Sequence, residues 1–61
     1  MYAVTIQSKV DINDIEVFKC ENVRMEDGWL ILVDVIHDDI KSDILSYNRD
    51  IVAFYIIQEV E

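Results

Sequence analysis

Two segments of this chain, Trp29–Val33 and Ile51–Ile57, are apolar at odd and even positions alike. In a β-strand, successive side chains point to opposite faces, so such strands need cover on both sides. Each valine- or isoleucine-sized group left in water forgoes roughly 1.5–3 kcal/mol of burial. A chain of 61 residues is near the lower size limit for folding alone, because it hides only about 60% of the surface its unfolded form exposes. The cover must come from a short helix in the 38–47 region or from another protein, and a helix of about two turns is a small lid for two strands. The pattern therefore predicts a homo-oligomer, a dimer or higher. Trp29, Ile31, Val33, Phe54, Tyr55 and Ile57 are its expected interface residues, since large apolar and aromatic groups anchor protein interfaces.

Isoleucine and valine supply 18 positions and proline none. Side chains that are stiff at χ1 suit a pleated sheet, so the composition favours strands and argues against disorder. The first segment alternates, with apolar residues at Tyr2, Val4, Ile6, Val10 and Ile12, and predicts a half-buried strand over about residues 2–9. Asn13-Asp14 supplies turn chemistry. In Ile15–Met25 the apolar residues change parity between Val17 and Phe18, predicting a bulge or twist near Lys19–Asn22. Asp27-Gly28, with the only glycine, is a hairpin signal leading into Trp29–Ile36.

His37–Asp43 reads as a polar loop. Beyond it, Ile40, Ile44, Tyr47 and Ile51 fall at helical spacing, but a short strand at Ile44–Tyr47 followed by a turn or one turn of 3₁₀ helix at 48–50 is preferred. Ile51–Val60 closes the chain as a strand, with Val52, Phe54 and Ile56 expected to face one way. The result is a single all-β domain over 1–61, with one short helix or 3₁₀ turn near 38–50 as its only helical element. Five strands on short connections fit a small antiparallel meander or an SH3-like barrel. The short link between the last two strands resembles SH3-like barrels in the order of elements alone.

Thirteen acids against five bases give a net charge of −8. That field disfavours nucleic acid and anionic membranes and favours a basic protein partner. No apolar run approaches the roughly 20 residues that span a bilayer. The start lacks the pattern of a signal peptide, and one free cysteine fits the cytoplasm. In size and charge the chain is similar to small acidic inhibitors of phages and mobile elements, anti-CRISPR and DNA-mimic proteins among them. That likeness implies an acidic binding module acting on a basic, nucleic-acid-binding protein. Asp11, Asp14, Glu16, Glu26, Asp27, Asp38, Asp39 and Asp43 would form the partner-binding surface. The alternatives are a structural homo-oligomerisation module and, more weakly, a small nucleic-acid-binding β fold using Lys9, Lys19 and Arg24.

Catalytic chemistry finds little material, and no catalytic residue, metal ligand or cofactor is expected. His37 stands beside Asp34, Asp38 and Asp39, but a lone histidine among solvated acids is more often a loop residue. Asp11, Asn13 and Asp14 lack the glycine of a calcium loop, whose sixth position is Glu16. Ser8, Ser42, Ser46 and Cys20 have only His37 as a base, and a single glycine makes no phosphate loop. The chain is read as a non-enzyme.

Overall fold

Residues 1–60 are described by the structure, a computed structural model. Its β-branched segments form five strands: β1 Tyr2–Ser8, β2 Ile15–Glu26, β3 Trp29–His37, β4 Ile40–Asn48 and β5 Val52–Glu59. They make one antiparallel sheet in the order β4-β3-β2-β1-β5. The fold is thus all-β, a meander with a returning fifth strand. Among the described residues the only helical element is a 3₁₀ turn, Arg49–Ile51, whose first turn is capped by the Asn48 side chain accepting from Asp50 N–H. No barrel closes, since β4 and β5 form the two edges and share no ladder.

That 3₁₀ turn forces the sheet to curl. In a flat sheet β4 and β5 would lie about 19 Å apart, four strand spacings, whereas three 3₁₀ residues rise only about 6 Å. The turn is anchored at both ends. Arg49 N–H donates to the Gly28 carbonyl at 2.7 Å, extending the β3–β4 ladder by one rung, and Lys9 N–H to the Ile51 carbonyl at 2.8 Å, extending the β1–β5 ladder. From β4 to β2 the Tyr47 hydroxyl donates to Glu16 Oε2 at 3.2 Å.

The bend has a backbone origin. Two ladders step over one row, Glu21–Asp34–Asp43: Cys20 pairs with Val35 and Val35 with Ser42, then Asn22 with Val33 and Val33 with Ile44. Asp34 sits there at φ +54°, in the left-handed region that aspartate tolerates better than branched residues. Across this row the buried parity of β3 switches from Val35 to Leu32 and Leu30. In β2 it switches from Phe18 and Cys20 to the partly buried Val23. The predicted irregularity near Lys19–Asn22 is this row. Replacing Asp34 with valine is expected to cost about 1–2 kcal/mol, while Asp34→Gly keeps full stability. Urea midpoints of the two variants check this, and equal midpoints would remove the role given to the bend.

Two expectations are corrected. His37–Asp43 is a strand-to-strand hairpin rather than a loop: Asp38 and Asp39 sit at φ +50° and +65°, the left-handed pair of a two-residue turn. Asp27 and Gly28 do the same at +49° and +79° between β2 and β3. Accordingly β4 runs from Ile40 and no helix forms in 38–47. The second correction concerns β5. Ser8 pairs with Val52 but Gln7 with Phe54, so Ala53 is an extra, bulged residue. Val52 then shares the core face with Tyr55 and Ile57, and Phe54 and Ile56 face the other way.

The inside of the curl holds Val4, Ile6, Phe18, Cys20, Leu30, Leu32, Val35 and Val52, all buried. Tyr2, Val23, Leu45, Tyr47 and Tyr55 pack around them. Leu32 is flanked by Val23 and Leu45 on the neighbouring strands, a continuous apolar row.

Candidate interaction surface

One side of the sheet is spent on the core, so the other is fixed by register. Val4, Ile6, Phe18 and Cys20 point inward, which turns Ala3, Thr5 and Gln7 of β1 and Ile15, Val17 and Lys19 of β2 outward. Their partners on β5 are Phe54, Ile56 and Gln58. Two rows cross this face, Val17–Thr5–Ile56 and Ile15–Gln7–Phe54. Val17 is 54% exposed and Ile56 48%. The β1–β2 loop continues the patch, since the Gln7 side chain donates to the Ile12 carbonyl at 2.8 Å. Ile12 itself is 69% exposed and Val10, in the same loop, 85%.

No aspartate or glutamate stands among those nine strand positions, and Lys19 is their one charge. In a chain with 13 acids that exclusion defines a surface: an apolar, acid-free field. Carboxylates gather at its margin instead. Asp11 and Asp14 lie in the loop leading into Ile15, and Asp38 follows His37, whose Nδ1 lies 3.1 Å from the Val17 carbonyl. Interfaces commonly have this plan, an apolar centre with a charged, solvated rim.

The eight acids expected to bind a partner do not converge. Glu26 and Asp27 end one hairpin and Asp38 and Asp39 another, at opposite ends of β3. Asp43 lies in the bend row of β4. Asp11 builds its own loop, its Oδ1 accepting from Asn13 N–H at 2.9 Å and its carbonyl from Asp14 N–H. Glu16 faces inward enough to accept from Tyr47. Asp14 and Glu16 line a cavity of about 120 Å³ floored by Ile6, Ile51 and Val52.

The six residues expected at an oligomer interface also divide. Trp29, Ile31 and Val33 lie on β3, opposite Leu30 and Leu32, where Asn48, Ser46 and Ile44 of β4 flank them. Phe54 belongs to the acid-free face, whereas Tyr55 and Ile57 lie on the core side of β5. Tyr55 packs against the core, with the Arg49 guanidinium 5.2 Å over its ring. Sequence reasoning missed Ile15, Val17, Val10, Ile12 and Ile56. The signal was present in β2, where Ile15 and Val17 are out of phase with the larger Phe18.

His37 is held by packing. Its ring lies 4.5 Å from that of Phe18, and Nε2 is 3.4 Å from Asp38 Oδ2. Among the described residues no three histidine, cysteine, aspartate or glutamate side chains are grouped to hold a metal. Cys20 is free and buried, and burial pushes its thiol pKa up, away from thiolate chemistry.

Tyr47 is the most perturbed acid. Burial, with the Glu16 carboxylate beside it, raises its pKa to about 12. An unfolded tyrosine titrates near 10. The folded state therefore holds this proton more tightly, and its contribution is complete below about pH 10 and lost as pH rises through about 12. Alkaline absorbance titration is expected to show one tyrosine ionising late, together with loss of the sheet signal. Tyr47→Phe should abolish the late step, and a wild type without any late step would contradict the Tyr47–Glu16 contact.

Among the described residues no helix is long and apolar enough to cross a membrane. No protein-family model, curated protein or solved structure matches this chain.

Proposed function

We propose that this chain is a non-enzymatic protein-binding module, working in the cytoplasm, that docks through the outer face of β2, β1 and β5. The acid-free apolar field within a chain of net charge −8 carries the reading. A monomer gains nothing by leaving Val17, Ile56 and Ile12 in water, and patches of this kind mark binding sites. The marginal carboxylates Asp11, Asp14 and Asp38 speed encounter with a partner of basic character. Inhibition follows if that partner uses the same basic surface to hold nucleic acid. Apolar docking at the centre and steering at the rim carry this mode, so the acids need not imitate a phosphate backbone.

The test is affinity capture from the cells that natively make the chain, comparing the wild type with Ile15→Glu/Val17→Glu. Both side chains lie on β2, away from the core. The double variant adds negative charge, so a partner held by charge alone would bind at least as well. Loss of a partner that the wild type retains is expected, and equal retention would remove the face from the reading.

A further inference from the structure

β5 is an open edge of unusual character. From Val52 to Gln58 it carries no charge and no proline, and it exposes Phe54, Ile56 and Ile57. Soluble proteins normally blunt such edges with lysine, proline, bulges or short length. The opposite edge, β4, is blunted in that way: Lys41 and Asp43 lie on it, and the bend row breaks it at Asp43. On β5 the single bulge, at Ala53, leaves Phe54–Gln58 regular.

The free backbone groups of β5 can be assigned. Val60 N–H donates to the Met1 carbonyl at 2.9 Å, which makes Met1 and Val60 a hydrogen-bonded pair. Such pairs alternate along an antiparallel ladder. Gln58, Ile56 and Phe54 therefore turn their backbone groups toward β1, and Tyr55, Ile57 and Glu59 turn theirs outward.

We propose that the occupant of this edge is a second copy of the chain, β5 pairing antiparallel with β5 over Phe54–Gln58, Tyr55 of each copy opposite Ile57 of the other. This rests on the reading of the adjoining face as a docking surface and states how that face is presented. Charge selects the occupant. Two chains each of net charge −8 repel, yet each brings a neutral strand to the other here. A basic partner would find no carboxylate between Val52 and Gln58. Pairing joins the two acid-free faces into one continuous surface, with Phe54 and Ile56 of both copies at its centre.

Sedimentation equilibrium from micromolar to millimolar chain, with amide exchange followed by NMR, tests the pairing. A species of twice the 7.2 kDa chain mass should grow with concentration, and the Tyr55 and Ile57 amides should gain protection in step. Ile57→Pro removes an outward N–H without breaking the ladder to β1. Ile57→Lys places a gatekeeper charge on the edge and serves if the proline variant does not fold. Each should weaken association at least about tenfold, as expected when an edge is blunted. A monomer throughout, or a dimer that survives the lysine substitution, would overturn the inference. Partner capture lost in Ile15→Glu/Val17→Glu, with the wild type monomeric, would leave the docking face standing and remove β5 pairing alone.

Discussion

Leu32→Ala is expected to remove most of the stability of this fold, while Ile44→Ala, one row away on the neighbouring strand, is nearly silent. Leu32 is 0% exposed between Val23 and Leu45, whereas Ile44 is 60% exposed. Truncating a buried leucine costs about 2–5 kcal/mol, because transfer and cavity effects add. At roughly 0.05–0.15 kcal/mol per residue, a chain this short holds only about 3–9 kcal/mol in all. One core truncation therefore takes at least about a fifth of the total and can take all of it. Ile44 has little burial to lose, so its truncation should cost under about 1 kcal/mol. Urea titration followed by Trp29 fluorescence and by circular dichroism gives both values. If the two variants fall within about 1 kcal/mol of each other, the assignment of inner and outer faces is wrong.

Ile15→Glu/Val17→Glu is expected to have the opposite profile, with folding kept and binding lost. Both positions are about half exposed and opposite polar residues, Gln7 and Thr5, so the new carboxylates remain hydrated in the free chain. Docking would bury them without partners, at about 3–5 kcal/mol, or roughly two to four orders of magnitude in affinity. The melting temperature should change little, and solubility should rise as the patch shrinks. A strong loss of stability would instead show that these residues serve the core. Affinity that rises with the added charge would mean that the acids alone hold the partner.

The strand count was legible because Tyr2–Ile6 alternates and Asp27-Gly28 marks a turn whose second residue needs positive φ. Asp38-Asp39 makes the same kind of turn without glycine, and so it read as a loop. The first half of β4, ahead of the expected strand at Ile44–Tyr47, was hidden for a related reason. An edge strand is wet on both sides, which permits Lys41, Ser42 and Asp43 to stand where a central strand would be apolar. The helical spacing of Ile40, Ile44 and Tyr47 was coincidental, since only Tyr47 joins the core. The faces of β5 could not be read because one bulged residue, Ala53, inverts every side chain after it, and alternation carries no mark of where such an insertion falls.

The acid-free face was recoverable only in part. That some apolar surface outruns the core followed from the two-faced segments. Its position required the pairing of β1 with both β2 and β5, which brings Val17 and Ile56 to one row from opposite halves of the chain. The marginal acids were visible one by one, but their arrangement around a field was not.

In the cells that natively make the chain, a photo-crosslinking amino acid in place of Val17 reads out what lies against this surface, with the same group in place of Lys41 on β4 as reference. Discrete protein adducts are expected from position 17 and not from position 41, their masses separating a second copy from another protein. Adducts absent from position 17, or equal from both positions, would contradict a docking face on β2, β1 and β5.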